Sequence, residues 1–347
     1  MKIVESWSGP GRRDAEVRPV GPEGNAAHLD DHKLAFEHWY FDARLSDGHI
    51  VVGFIQTREL IQRKPGVELH VYRPDGTRLE VIRHYTDAEA SASREQCDVK
   101  VGHNWAKAEF PEGRLPVHRL HLSEEGITFD LTFENEVPTW MPGGGSTSYG
   151  ERDYFAWCVG APRARVSGTV TIGDETIDAH GIGYHDHNWG VGDMKRIIDH
   201  WYWGRLYTDD LTVIYANVHT TKKYGAHASM PLMVARGSEI VLSTGEVQAT
   251  EGPRVFDATA NREYPKTLSL NSDEVDLTFM VRRIVHAQDL LEMVPVVRSR
   301  LVKPLVNRLL GRPGYFRFES EFDLTVRLED EVLKENGTTL HEMVALH

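Results

Sequence analysis

Short strands separated by turn residues recur along most of this chain, and this pattern restricts the possible folds more than any other feature. Residues 38–54, 67–82, 119–133 and 200–218 each contain two runs rich in aromatic and β-branched residues, joined by a turn that contains Asp or Gly. Such pairs are typical of β-hairpins. Helical periodicity is almost absent before residue 290. The sequence therefore predicts an all-β fold made of antiparallel barrels or sandwiches.

The length of the chain favours two domains. Its 347 residues exceed the usual size of a single hydrophobic core. Runs that begin at His38 and His200 both read His-Trp-Tyr, and each opens an aromatic strand followed by a hairpin. We predict an extended amino-terminal arm over 1–30, a first domain over 31–195 and a second domain over 196–347.

One segment departs from the β pattern. Apolar residues recur at spacings of three and four between residues 290 and 310, which predicts an amphipathic helix that is kinked or divided by Pro295 and Pro304. Residues 281–317 contain eight basic and two acidic residues, a local net charge of +6 in a chain whose net charge is -13. A basic amphipathic helix of this kind either lies on an anionic membrane surface or covers the mouth of a barrel.

Composition limits the partners and the compartment. The acidic balance argues against nucleic-acid binding, which depends on Lys and Arg that neutralise phosphates. No apolar run approaches the ~18 residues of a membrane span, and the first residues lack the apolar core of a signal peptide. Cys97 and Cys158 are the only cysteines, and we expect both to be reduced thiols. We therefore expect a cytoplasmic protein whose contact with an anionic membrane, if it occurs, is peripheral and made through 290–317.

The densest group of chemically active residues lies at 181–190, where the sequence reads Gly-Ile-Gly-Tyr-His-Asp-His-Asn-Trp-Gly. In an extended strand, alternation places Tyr184, Asp186 and Asn188 on one face and His185 and His187 on the other. An Asp that faces an apolar cavity beside a Tyr has its ionised form disfavoured, so its pKa rises. Asp186 is therefore a candidate general acid.

Two other interpretations of this run stay open on the residues alone. His185 and His187, at i and i+2, present both imidazoles to one point and could bind a metal if a third ligand joined them. His180, His200 and His219 are candidates for that ligand, although none stands at a diagnostic spacing. Alternatively, the run is a hydrogen-bonded corner in which Trp189 fills the core.

Three short stretches resemble one known superfamily. The run Glu37-His-Trp-Tyr-Phe-Asp42 resembles the Glu-Trp-Trp-Tyr-Phe opening of carotenoid hydratase (hydroxyneurosporene synthase) and AttH-like proteins. Residues 183–190 resemble the central signature of the same superfamily, which also includes lipocalin-like Diels-Alderases, and the lead-in at 162–170 is similar too. The chain departs from the hydratase pattern at Phe155, where that pattern has His, and at His38, where it has Trp.

The resemblance implies a fold and a class of ligand. It implies two tandem lipocalin-like antiparallel β-barrels, here with one amphipathic helical insertion at 290–310, and a hydrophobic isoprenoid or polyene as the ligand. Tyr184 and Asp186 match the Tyr-x-Asp of the hydratase pattern, and Trp157 matches an upstream pocket Trp. Hydratases of this type protonate an isolated carbon–carbon double bond and add water to the resulting tertiary cation.

We therefore expect a hydratase (lyase) or a cyclase (isomerase) that needs neither a cofactor nor a metal. Asp186 donates the proton with support from Tyr184, and His185 or His187 positions water or resets the acid. Asn188 contacts the substrate, and four indole rings stabilise the cation. These rings belong to Trp157, Trp189, Trp201 and Trp203. Two alternatives stay open, namely an acid-independent pericyclase that only folds a polyene into a reactive conformer, and a carrier that binds a hydrophobic molecule unchanged.

Overall fold

The computed structural model describes residues 2–28, 30–293 and 311–347, and its architecture confirms the all-β prediction. The strands are β1 (Ile3–Glu5), β2 (Ala35–Leu45), β3 (Ile50–Arg58), β4 (Gly66–Tyr72), β5 (Arg78–His84), β6 (Ala90–Ala92), β7 (Asp98–Val101), β8 (Asn104–Glu109), β9 (Val117–Glu124), β10 (Ile127–Asn135), β11 (Ser146–Tyr149), β12 (Tyr154–Ile172), β13 (Glu175–Val191), β14 (Ile198–Tyr207), β15 (Leu211–Thr220), β16 (Ala228–Ser229), β17 (Leu232–Arg236), β18 (Glu239–Thr244), β19 (Gln248–Glu251), β20 (Arg254–Asp257), β21 (Arg262–Pro265), β22 (Thr267–Asn271), β23 (Val275–Asp289), β24 (Gly314–Arg327) and β25 (Val332–Ala345).

Helices contribute little to the described part of the chain. Its only α-helix is the four-residue α1 (Met194–Ile197). Short 3-10 turns occupy Pro22–Asn25, Asp87–Glu89, Lys222–Tyr224 and Leu290–Met293. The remainder of the predicted amphipathic helix, 294–310, lies outside the described residues, and so does most of the basic segment expected to contact a membrane. None of the helices in the described residues has the length and apolar character needed to cross a bilayer.

The strands form two large antiparallel sheets that meet in sequence at α1. The first sheet has the order β5-β4-β3-β2-β13-β12-β10-β9-β8-β7-β6, and β11 joins β1 to the edge of β12. The second has the order β18-β17-β15-β14-β25-β24-β23-β22-β19, with β16 beside β15, and β20 and β21 form a separate hairpin. The hairpins predicted from the turn residues at 38–54, 67–82, 119–133 and 200–218 are present as the pairs β2-β3, β4-β5, β9-β10 and β14-β15. The division into two barrel domains stays a prediction.

Each sheet encloses its own apolar core, and a third apolar cluster lies between the sheets. Phe41, Phe129 and Phe133 belong to the core of the first sheet, and Phe279 and Phe318 belong to that of the second. The third cluster combines side chains of both sheets. From the first sheet it takes Tyr40, Trp157 and Tyr184, and from the second it takes Ile214, Ala216 and Met233. The face of β13 that carries Tyr184 is thus covered by the second sheet and does not face the core of the first sheet.

Buried charges also connect the two sheets. Asp42 on β2 forms an ion pair with Arg205 on β14, and the two side chains are 3% and 9% exposed. Tyr40 donates a hydrogen bond to Asp42 at 2.5 Å. Arg317 on β24 reaches the Tyr40 hydroxyl at 3.4 Å and Glu342 on β25 at 2.9 Å. Because these charges are removed from water, each depends on its partner. That partner lies across the interface for Asp42 and Arg205, and within the second sheet for Arg317 and Glu342.

The amino-terminal residues run along both sheets. Strand β1 pairs with β11 of the first sheet, and Arg13 forms a β-bridge with Thr244 of the second. Glu5 accepts hydrogen bonds from His227 at 2.6 Å and from Ser229 at 2.8 Å, both in the second sheet. Burial alone would raise the pKa of Glu5, but the hydrogen bonds to its carboxylate outweigh burial, so the pKa is lowered. This segment therefore closes one end of the space between the sheets.

Glycines in β13 allow close packing beside the functional residues. A Cβ atom at Gly183 would lie 2.6 Å from the Phe133 ring and 2.8 Å from the Asp42 carbonyl oxygen. At Gly190 it would lie 2.2 Å from the carbonyl oxygen of Tyr154. All three distances are shorter than van der Waals contact, so Gly183 and Gly190 exclude any side chain. The glycines in the 181–190 run are therefore required by packing.

Candidate functional site

A cavity of about 280 Å³ lies between the two sheets, close to the centre of the molecule. Strands β2, β12 and β13 form one wall, and β14, β15 and β25 form the opposite wall. Residues Glu5, Ser6 and Trp7 close one end. The lining is mainly apolar and contains many aromatic rings. These rings include Phe36, Phe54, Phe155, Trp157, Trp201 and Trp203. A mainly apolar cavity with a few polar groups is the usual form of a small-molecule site.

Asp186 lies on the wall of this cavity and accepts hydrogen bonds from three side chains. Its Oδ2 accepts hydrogen bonds from Trp157 Nε1 and from the Tyr184 hydroxyl, each at 2.8 Å. Its Oδ1 accepts one from Asn188 Nδ2, also at 2.8 Å. The side chain is 5% exposed. Three donors therefore fix the carboxyl group in one orientation, with an edge toward the cavity.

Burial and hydrogen bonding act on this carboxyl group in opposite directions. Burial raises the pKa of Asp186 to about 7, although the hydrogen bonds from Trp157, Tyr184 and Asn188 favour the ionised form. Burial and the adjacent carboxyl group raise the pKa of Tyr184 well above its usual value, so the phenol stays a hydrogen-bond donor. Asp186 can accordingly hold a proton near neutral pH, and the same three donors can stabilise the carboxylate that remains after the proton leaves.

The strand places the histidines of the run on the opposite face. His185 donates a hydrogen bond from Nδ1 to the Tyr40 carbonyl oxygen at 2.8 Å and stacks on Phe41 inside the first sheet. His187 lies 3.2 Å from Glu37 and stacks on Trp39. Both side chains are fully buried, and burial lowers the pKa of each. Their placement separates them from the Asp186 cavity, so a role in positioning water there has no geometric support.

Trp189 shares this opposite face, which corrects its expected position at the cavity. Its ring stacks on His28 at 3.8 Å between centroids, and it packs with Ala156 and Cys158. The reason is the alternation of the strand, since residue 189 has the same parity as 185 and 187. The interpretation of Trp189 as a core residue therefore describes its surroundings better than a role in binding substrate.

No metal site accompanies the two histidines in the part of the chain that the structure describes. No group of three or more His, Cys, Asp or Glu side chains there has an arrangement that could hold a metal ion. His185 and His187 have separate partners, Asn25 for the first at 2.8 Å and Glu37 for the second. The i, i+2 spacing thus places two imidazoles on one face without a third ligand near both.

The other predicted substrate-binding residues do line the cavity. Trp157 and Asn188 lie on the wall that carries Asp186, and Trp201 and Trp203 lie on the opposite wall. The Trp203 ring packs edge to face against Tyr184, with 5.1 Å between centroids. The Arg205 guanidinium lies 5.3 Å from the Trp203 ring centre and so already occupies part of its π surface.

Several cavity residues carry no local sequence signal that would identify them. His38 and Tyr40 appear in the sequence only as members of an aromatic strand, yet both line the cavity. Glu5, Trp7 and Glu342 come from the two ends of the chain. Alternation along β2 could have placed His38 and Tyr40 on one face, but not on the face that the second sheet covers.

Two relatives of known name match parts of the chain. Hydroxyneurosporene dehydrogenase of Chlorobaculum tepidum is 26% identical over 203 residues, which covers 56% of this chain and 46% of that protein. The ceramide-binding protein svf1 of Schizosaccharomyces pombe is 21% identical over 237 residues, 65% of this chain and 62% of that protein. The match therefore spans less than two thirds of either relative.

Solved structures match over almost the whole chain. An AttH protein of Nitrosomonas europaea superposes with a TM-score of 0.63 at 13% identity, covering 99% of this chain and 100% of the other. Kievitone hydratase of Nectria haematococca gives 0.60 at 13% identity, with 98% and 97% covered. CghA in complex with Sch210972 gives 0.63 at 12% identity, with 96% and 98% covered. At these identities the likeness concerns the fold alone.

The family assignment comes from a direct sequence match. The model of the AttH-like family matches residues 77–296, which is more than half of the chain and includes the 181–190 run. This confirms the resemblance found in the short motifs. The chain belongs to the AttH-like family.

Proposed function

We propose that this protein is an enzyme that protonates a carbon–carbon double bond of a hydrophobic isoprenoid or polyene and then completes hydration or cyclisation. The observation that supports this most directly is Asp186. Its carboxyl group lies at the wall of an aromatic cavity, carries hydrogen bonds from Trp157, Tyr184 and Asn188, and has a pKa raised by burial to about 7. A carboxylic acid held in this state is a suitable proton donor to an alkene.

In the proposed reaction, Asp186 forms the new carbon–hydrogen bond. The proton moves to one alkene carbon, and the adjacent carbon becomes cationic. The indole rings of Trp157, Trp201 and Trp203 line the cavity, and an indole face turned toward the cation would stabilise it through the electron-rich π system. The three hydrogen-bond donors stabilise the Asp186 carboxylate that remains after the proton leaves. Water then adds to the cation and loses a proton, which gives an alcohol. Alternatively, a second double bond attacks the cation and closes a ring, and the new cation loses a proton to the Asp186 carboxylate, which gives a cyclic isomer.

Several relatives support this class of reaction. Kievitone hydratase is a hydratase of the same fold, and hydroxyneurosporene dehydrogenase is a relative whose name indicates an isoprenoid substrate. Because their similarity to this chain is low, the substrate stays a proposal. The burial of Cys97 and Cys158 as free thiols agrees with the proposed cytoplasmic location.

The proposed activity has a direct test. Purified protein is incubated with acyclic isoprenoid hydrocarbons (myrcene, farnesene and squalene), and the products are separated and analysed by mass. We expect a gain of one water for hydration, or an unchanged mass with altered retention for cyclisation. Boiled protein is the control. If no compound changes and each is recovered bound to the protein, the carrier function replaces the enzymatic one.

The pH dependence of turnover provides a second test. Because only the protonated form of Asp186 can donate, we expect the rate to be constant below about pH 6 and to fall roughly tenfold per pH unit above the pKa of about 7. Initial rates between pH 5 and pH 9 in buffers of constant ionic strength would measure this. A flat profile would contradict acid catalysis and favour the acid-independent pericyclase.

A carrier of hydrophobic molecules is the second candidate function. The match to a ceramide-binding protein favours it, and so does the mainly apolar lining of the cavity. Under this alternative Asp186 serves only to orient a polar group of the ligand. Binding would then occur with no change in mass, and substitution of Asp186 would alter affinity without any loss of turnover to measure.

A further inference from the structure

A single histidine lines the described part of the cavity, and it lies on the same wall as Asp186. His38 is on β2, where alternation brings Phe36, His38 and Tyr40 to the cavity face. In the sheet, His38 stands directly opposite Asn188 of β13, and Asn188 donates a hydrogen bond to Asp186. The imidazole is therefore one cross-strand neighbour away from the proposed acid.

We propose that His38 binds the attacking water and takes its proton, and that it thereby acts as the base that completes hydration. This inference rests on the proposed function, of which it specifies the second half. It assigns His38 a catalytic role that the sequence pattern had reserved for His185 or His187.

The surroundings of His38 support a role toward a molecule in the cavity. Its Nδ1 is buried and has no hydrogen-bond partner among the described residues. The ring packs against Phe54, with 5.8 Å between ring centres. His185 is hydrogen-bonded at both ring nitrogens inside the first sheet. His187, whose Nδ1 is also unpaired, contacts Glu37 there and does not line the cavity. An unpaired buried polar atom is unfavourable, so a water or hydroxyl group that pairs with the imidazole would offset that cost.

The protonation state of His38 suits this role. Burial lowers its pKa to about 4, with a further lowering by His187, while Glu68 and Glu37 act in the opposite direction. The imidazole is accordingly neutral at pH 7 and has a lone pair for a proton. Water that has added to a carbocation is a strong acid, so a weak base is sufficient to deprotonate it.

The step balances without any other reactant. Asp186 gives its proton to one alkene carbon, and a lone pair of water forms the carbon–oxygen bond at the other carbon. The oxygen–hydrogen bond then breaks, and its proton goes to His38. Because the pKa of Asp186 is about 7 and that of His38 about 4, the proton returns downhill to the carboxylate. The net reaction is alkene plus water to alcohol.

The test separates formation of the cation from its capture. The full-length protein is incubated with the same three isoprenoids in D₂O. Protonation followed by reversal leaves deuterium in recovered alkene, whereas capture gives alcohol. In the His38→Phe variant we expect deuterium incorporation to persist while the ratio of alcohol to deuterated alkene falls by ~10²–10⁴-fold, the usual range for loss of a general base.

Two further variants, His38→Gln and His180→Phe, complete the test. His38→Gln keeps a polar side chain of similar reach, so it tests the base even if the Phe variant fails to fold, and its ratio should fall too. His180→Phe, at an exposed position of the same sheet, should leave the ratio unchanged. An unchanged ratio in the folded His38 variants would overturn the role of His38 alone. Absence of both alcohol and deuterium exchange in the unmodified protein would instead overturn the proposed function.

Discussion

Replacement of Asp186 by Asn is expected to lower turnover by ~10²–10⁴-fold while ligand affinity changes little. The amide has nearly the same shape, so the cavity keeps its volume, but it has no proton acidic enough to transfer to an alkene. Its carbonyl oxygen can still accept hydrogen bonds from Trp157 and Tyr184, which donate to Oδ2 in the unmodified protein. Single-turnover rates with the best isoprenoid, together with equilibrium binding followed by tryptophan fluorescence, measure the two effects separately.

A matched substitution on the same strand provides the control. Asp178 also belongs to β13, but its side chain is 80% exposed, so Asp178→Asn should leave turnover unchanged. Retention of full turnover in Asp186→Asn would remove the carboxyl group from the mechanism and favour a pericyclase. Loss of binding together with turnover would indicate that Asp186 orients the ligand and is not the proton donor.

Replacement of Arg205 by Met is expected to lower the free energy of unfolding by about 3–5 kcal/mol, because it leaves the Asp42 carboxylate buried without its cation. Since Asp42 belongs to the first sheet and Arg205 to the second, the loss falls on the contact between them. Urea denaturation followed by circular dichroism measures this difference. The double variant Asp42→Asn, Arg205→Met should recover part of the loss, because it leaves no unpaired charge.

An exposed pair in the first sheet supplies the comparison. Arg165 and Glu134 are 67% and 48% exposed, and Arg165→Met should change the unfolding free energy by less than about 1 kcal/mol. Equal effects of the two Arg substitutions would show that the Asp42–Arg205 pair contributes no more than a surface contact. In that case the apolar cluster alone would hold the sheets together.

Local patterns predicted the part of the site that a single strand determines. The period of two along β13 predicts from sequence alone that Tyr184, Asp186 and Asn188 share one face. The same rule placed His185 and His187 on the other face. It also applies to Trp189, whose odd position sends it into the core with His28. The hairpins were predictable for a similar reason, since turn residues and strand composition are local properties.

The remainder of the site depends on contacts between distant segments. Which face of β13 adjoins the cavity is decided by the second sheet, whose side chains at Ile214 and Met233 pack against Tyr184 and Trp157 in one cluster. No periodicity in 181–190 contains that information. In the same way, Glu5 enters the site through its hydrogen bonds to His227 and Ser229, more than 200 positions away. Composition described the first residues only as an extended arm.

Because the walls of the cavity belong to both sheets, ligand binding is coupled to the stability of the contact between the sheets. A molecule held between Trp157 and Trp203 touches both halves, so its binding free energy adds to whatever keeps them in register. Linkage makes the relation reciprocal, because the free energy by which a ligand stabilises this contact equals the free energy by which the formed contact strengthens ligand binding. A ligand bound in this cavity is therefore expected to strengthen the contact between the two sheets.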